Sequence, residues 1–205
     1  MNNIKVVIFD CDGVMFDTAK ANTAYYNSVL RHFKKPDMTP EQFAYSHMHT
    51  ADEAMAYLFD DENMFEAAQT YRKNMSYLPF LKDMEIEPYL KPLLKRLRPR
   101  YKTAVATNRA DTMKRVLIEH NLKDCFDLVV SALDVKHPKP HPEQLIKILK
   151  HFNIAPYNAI YIGDSKLDEM AAKAAEMTLI AYKNRSISAD FHINGLKEIE
   201  DIIEI

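Results

Sequence analysis

Asp10 and Asp12 stand two residues apart at the end of an apolar run, Ile4-Lys5-Val6-Val7-Ile8-Phe9, and Gly13 follows them. Carboxylates can act as nucleophiles, as proton donors and acceptors, or as ligands of a hard cation. Two so close together repel, and burying either unpaired is costly; a bound cation would remove that conflict. Alone, the pair reads better as a solvated turn closed by glycine. Three further stretches carry matching chemistry, in order, each just after an apolar run: Thr107-Asn108, the loop Lys139-Pro140-His141-Pro142, and Gly163-Asp164-Ser165-Lys166-Leu167-Asp168. A carboxylate nucleophile, a hydroxyl and amides for phosphoryl oxygens, a lysine for charge and acids for a metal compose a phosphoryl-transfer site.

These residues converge only if particular elements carry them. Ile4–Phe9 reads as a central strand of a parallel sheet, apolar on both faces, with Asp10 and Asp12 at its carboxyl end. From Pro88 onward, helix and strand alternate. The pattern predicts strands at 101–106, 128–131, 159–162 and 178–182. It predicts helices at 89–97, from a cap at Asp111 to about 120, at 142–152, after Asp164, and at 196–203. In a parallel sheet the carboxyl ends share one edge, so all four polar stretches can meet there. Between them, from about Asp17 to Met84, the chain reads as helical throughout. Thr39-Pro40-Glu41-Gln42 and Thr50-Ala51-Asp52-Glu53 are helix-start signatures in this block. The expected fold is a doubly wound α/β core from 1–16 and 85–205, with an inserted all-helical cap at 17–84.

Composition excludes several alternatives. The chain has 205 residues and is 47% hydrophobic, enough for one domain with a sizeable insertion or for two small ones. Its net charge of −2, with signs interspersed, gives no reason to expect nucleic acid or an anionic membrane as partner. No apolar run approaches a membrane span and no signal-peptide pattern opens the chain. Cys11 and Cys125 make no disulfide framework, so a reduced cytosolic setting is expected. The sequence implies no oligomeric state. Only three glycines are present, Gly13, Gly163 and Gly195, too few and too scattered for a dinucleotide or Walker-type phosphate loop.

On these four motifs, in this order, the chain resembles the haloacid dehalogenase superfamily, phosphatase branch. The likeness covers the α/β part, and the helical insertion fits that family's cap. It implies roles for the matching residues. Asp10 is the nucleophile that becomes an aspartyl phosphate. Asp12 protonates the leaving oxygen and then takes a proton from the attacking water. Thr107 and the Asn108 backbone amide bind phosphoryl oxygens, and Lys139 neutralises Asp10 and the phosphate together. Mg²⁺ is held by the Asp10 carboxylate, the Asp12 backbone carbonyl and the Asp164 carboxylate, with Asp168 orienting a metal-bound water or Lys139. The implied activity is Mg²⁺-dependent hydrolysis of a small phosphorylated metabolite.

Other readings of the same residues differ in outcome. A phosphomutase of the β-phosphoglucomutase type uses the same groups but returns the phosphoryl group to a sugar. A binding or regulatory module that keeps this fold without turnover is the alternative of another class; loss of a motif residue would favour it, and none is lost. The dehalogenase and phosphonatase branches lack an acid at the position of Asp12. Cys11, between two aspartates, is not a reactive thiolate. His47 and His49, two apart, cannot share a helix face as a zinc pair. Arg109, directly after Thr107-Asn108, is in reach of an anionic substrate. Glu176 stands where the family commonly has glycine.

Overall fold

The structure is a computed structural model that describes residues 3–205. The chain divides into two compact units: Met1–Phe16 with Ile86–Ile205, and Asp17–Glu85. The strands are β1 (Val6–Phe9), β2 (Phe16–Asp17), β3 (Glu85–Ile86), β4 (Lys102–Ala106), β5 (Leu128–Val130), β6 (Ala159–Gly163), β7 (Thr178–Tyr182) and β8 (Phe191–Ile193). The helices are α1 (Ala19–His32), α2 (Pro40–Met48), α3 (Ala51–Leu58), α4 (Glu62–Asn74), α5 (Leu78–Leu81), α6 (Leu90–Leu97), α7 (Met113–Glu119), α8 (Glu143–Phe152), α9 (Lys166–Ala174) and α10 (Ile199–Ile203).

The first unit is built on a six-stranded sheet in the order β5-β4-β1-β6-β7-β8. Every neighbouring pair in it is parallel. β1 lies between β4 and β6, with Ile8 opposite Ala104 on one side and Tyr161 on the other. All four of its residues are fully buried, which explains the unbroken apolar run. Side chains alternate across the sheet. Val6, Ile8, Ala104, Ala106 and Tyr161 share one core with Leu145 and Ile148 of α8 and with Ala171 and Ala172 of α9. On α6, Leu90, Leu93, Leu94 and Leu97 are all buried, the i, i+3, i+4, i+7 stripe of a helix laid against the sheet. Helices thus flank the sheet, and because the strands run one way, the segments after Phe9, Ala106, Val130 and Gly163 leave from one edge.

The second unit is helical, α1 to α5. Two helix starts read from the sequence carry complete capping boxes: Thr39 with Gln42, and Thr50 with Glu53. Its own core gathers Tyr25, Tyr26, Val29 and Leu30 of α1 around Ala54, Met55 and Leu58 of α3 and Ala68 of α4. His47 and His49 take different neighbours. His47 Nδ1 lies 3.2 Å from Asn22 Nδ2, whereas His49 stacks on Tyr45 at 3.8 Å.

Some local expectations differ from the structure. The helix assigned to a cap at Asp111 starts at Met113 behind Thr112, which makes no side-chain cap. The Thr112 hydroxyl is occupied instead, accepting a hydrogen bond from Arg109 Nη1 at 3.0 Å. The terminal helix opens as a 3₁₀ turn, Leu196–Glu198, because the Glu198 carboxylate takes the backbone N–H groups of Asn194 and Gly195. β8 was not expected; three residues are too few to show an alternation. Glu176 adopts φ 53°, a left-handed conformation that glycine enters without a steric penalty.

Candidate active site

β1 delivers Asp10 to the sheet edge. Its backbone N–H still bonds to Ile162 O at 2.9 Å, and one carboxylate oxygen accepts the next N–H, from Cys11, at 2.7 Å. The chain then turns sharply: the N–H groups of Met15 and Phe16 both reach Cys11 O, and Gly13 takes φ 82°. Glycine is required here for space as well as conformation. A Cβ on Gly13 would lie 2.1 Å from Asp164 Oδ2.

Lys139 is the hub. Its ammonium lies 2.8 Å from Asp10 Oδ1 and 2.7 Å from Asp168 Oδ1, and donates to the Tyr161 hydroxyl at 2.9 Å. The residue is only 2% exposed. Burial opposes charge on Lys139, but the Asp10 and Asp168 carboxylates outweigh it and hold the ammonium well above the usual lysine range. The loop that carries it is fixed by its backbone. Asn108 Nδ2 donates to Lys139 O and Asn108 Oδ1 accepts from Lys139 N, both at 3.0 Å. Gln144 joins the same edge, donating to Thr107 O at 2.6 Å and accepting from Lys139 N at 3.3 Å.

α9 begins at this edge with a capping box between Ser165 and Asp168. Ser165 is its N-cap. Asp168 is fully buried and fully subscribed. Oδ1 takes Lys139 and the Tyr161 hydroxyl at 2.5 Å, while Oδ2 takes the Ser165 hydroxyl and the N–H groups of Ser165 and Asp164. Burial alone would raise its pKa; Lys139 and these donors more than offset that and keep it below the usual carboxylate range. Asp164 is the opposite case. Among the described residues none donates a hydrogen bond to its carboxylate, although Asn184 Nδ2 holds its backbone carbonyl at 2.7 Å. Burial, reinforced by Asp168 and Asp10, pushes the Asp164 carboxyl well up. Burial likewise raises Asp10 to about 7, with Lys139 pulling the other way and Asp168 adding repulsion.

Asp10, Asp164 and Asp168 bring carboxylate oxygens within 4.8 Å of one another. Three carboxylates thus face one ammonium, an excess that matches the charge of a divalent cation. The donors are hard oxygens, which suits Mg²⁺. Asp12 is held elsewhere. Both its oxygens are taken by Arg109, Oδ2 from Nε at 3.0 Å and Oδ1 from Nη2 at 2.5 Å. Thr107 is buried and its hydroxyl accepts the Arg109 backbone N–H at 3.1 Å.

The structure therefore gathers Asp10, Lys139, Asp164 and Asp168, ties Asn108 to the Lys139 backbone, and pairs Asp12 with Arg109. Sequence reasoning missed Tyr161 and Gln144. Each carried a signal: a tyrosine in the middle of a buried strand, and a glutamine that is fully buried beside the apolar stripe of α8.

Comparison with known proteins gives the family. The family model described as haloacid dehalogenase-like hydrolase matches residues 7–182, a span that includes all four motifs. Pyrophosphatase PpaX of Bacillus velezensis is 29% identical over 95% of this chain and 98% of its own length. A phosphoglycolate phosphatase of Nitrosospira multiformis is 27% identical, covering 84% of this chain and 80% of its own. Among solved structures, a HAD-superfamily hydrolase of subfamily IA, variant 1, from Geobacter sulfurreducens superposes with a TM-score of 0.81 at 35% identity, over 98% of this chain and 97% of that one. Strand order, motif positions and matched span converge, and the chain belongs to the haloacid dehalogenase-like hydrolase family.

Proposed function

We propose that this hydrolase is a phosphatase that removes the phosphoryl group of a small phosphorylated metabolite through an aspartyl phosphate on Asp10. The observation that carries the reading is the buried Lys139 ammonium shared between Asp10 and Asp168, beside an Asp164 carboxylate to which none of the described residues donates a hydrogen bond. The relatives named as phosphoglycolate phosphatase and pyrophosphatase support it.

In this reading Asp10 attacks phosphorus with the oxygen not held by Lys139. Lys139 offsets the charge of the nucleophile and of the incoming phosphoryl group at once. Thr107 and the Asn108 amide bind phosphoryl oxygens. Asp12 gives a proton to the leaving oxygen, then accepts one from the water that cleaves the acyl phosphate. Asp10, Asp164 and the backbone carbonyl of Asp12 would hold Mg²⁺, with Asp168 setting the position of Lys139. Bound there, the cation supplies charge neutralisation at the phosphoryl oxygens. The helical unit contains none of the motifs, and we assign it a share in the choice of substrate.

The test is a panel of phosphorylated metabolites incubated with the protein and Mg²⁺, reading inorganic phosphate and product identity. Released phosphate supports the hydrolase. An isomerised sugar phosphate would mean a mutase, and neither product would mean a binding module.

A further inference from the structure

We propose that Arg109 is a specificity residue for a second anionic group on the leaving portion of the substrate, and that Asp12 occupies that anion's place when no substrate is bound. The inference rests on the phosphatase reading above and adds the class of phosphoester.

The guanidinium is already arranged as a carboxylate receptor. Nε and Nη2 form a two-pronged contact to both Asp12 oxygens, while Nη1 is anchored on the Thr112 hydroxyl at 3.0 Å. The Arg109 side chain is 6% exposed and that of Asp12 14%, so the contact is desolvated and its geometry is fixed. Arginine presents its donors as a planar fork, which suits a carboxylate or a phosphate equally well. Its backbone is anchored too, through the N–H bond to Thr107 Oγ1.

Position decides which part of a substrate meets the fork. The transferred phosphoryl group has its own cation, Lys139, on Asp10. Arg109 sits instead on Asp12, the residue assigned to the leaving oxygen. An anion one or two bonds beyond that oxygen would therefore reach the guanidinium and not the ammonium. The exchange has a second effect. While Arg109 holds both Asp12 oxygens, the carboxyl is turned toward the guanidinium. A substrate carboxylate or second phosphate that takes the fork releases Asp12 from Arg109. A leaving group with no charge must break the pair and offers nothing in return.

The experiment compares 2-phosphoglycolate and pyrophosphate with ethyl phosphate, using the full chain with Mg²⁺. The wild type should favour the two substrates with a second anion in kcat/KM. In Arg109→Met that preference should shrink about ten- to a hundredfold, the worth of one charged, two-pronged contact. The readout is the ratio of kcat/KM values and not the absolute turnover of ethyl phosphate, because Arg109 also contacts Asp12. Arg109→Lys keeps the charge without the fork, and should recover part of the preference. If Arg109→Met fails to fold, the comparison of Arg109→Lys with wild type decides alone: a reduced preference supports the assignment. An equal loss on all three substrates, or an unchanged preference, would overturn it. No phosphate from any substrate in the wild type would instead remove the phosphatase reading beneath it.

Discussion

Gly13→Ala tests whether the Asp164 carboxylate is held where a metal needs it. The added Cβ would lie 2.1 Å from Asp164 Oδ2 and 2.5 Å from its Cγ. Ordinary van der Waals contact begins near 3.4 Å, so the carboxylate must retreat by about 1.3 Å. Mg²⁺ demands near-ideal oxygen distances and tolerates little of such a shift. Misplacing a reacting constellation by an ångström costs on the order of a hundredfold in rate. The backbone cost is separate: φ 82° is unfavourable to alanine by about 1–2 kcal/mol. For a chain of this size that lowers the melting temperature by about 2–8 °C. The variant should therefore fold, melt slightly early, lose about a hundredfold in kcat/KM, and bind Mg²⁺ more weakly by calorimetry. Gly195→Ala is the control, since the nearest atom to its Cβ, Glu198 Oε1, is 3.9 Å away. If Gly13→Ala kept wild-type metal affinity and turnover, Asp164 would not be a ligand in this arrangement.

Other outcomes follow from the same geometry. Asp10→Asn should reduce multiple-turnover phosphate release to background while far-UV circular dichroism stays unchanged; activity close to wild type, with deamidation excluded by mass spectrometry, would remove Asp10 as nucleophile. Excess chelator should abolish turnover and Mg²⁺ restore it, whereas Ca²⁺, which accepts looser and more numerous ligands, should inhibit; full activity in chelator would contradict the metal role. Lys139→Ala strands two buried carboxylates, at a cost of about 3–5 kcal/mol, and should depress kcat for every phosphoester, whereas His47→Ala should change KM and substrate rank; a mere reordering of the panel by Lys139→Ala would reverse this division. Glu176→Gly relieves the left-handed φ of 53° and should stabilise by about 1 kcal/mol, read from the denaturation midpoint; no gain would mean that the strain is compensated elsewhere.

Much of the core was legible because its constraints are local. A strand buried on both faces must be apolar throughout, and Val6–Phe9 is. Capping boxes are written in four consecutive residues, so Thr39 and Thr50 announced their helices. The motif order brought Asp10, Lys139 and Asp164 to one edge before any distance was known. What stayed hidden depends on partners far apart in sequence. Nothing near Arg109 says that its fork will close on Asp12, 97 residues earlier. Nothing near Thr112 says that its hydroxyl will serve Arg109 and leave α7 uncapped. Tyr161 and Gln144 belong to no motif, and only the fold brings them to Lys139.

The contrast between Asp168 and Asp164 bears on how descendants of such an enzyme would diverge. Asp168 closes the capping box of α9 and anchors a buried lysine, so its loss harms folding whether or not the protein turns anything over. A lineage that abandoned chemistry would still be under pressure to keep it. Asp164 supports no hydrogen bond through its carboxylate among the described residues, and crowds two other acids besides. Without a cation to hold, replacing it would relieve repulsion, and drift would erase it early. Among homologues, then, retention of the acid at 168 reports only that the fold survives, while retention of the one at 164, the metal ligand proposed here, would report that the site is still in use.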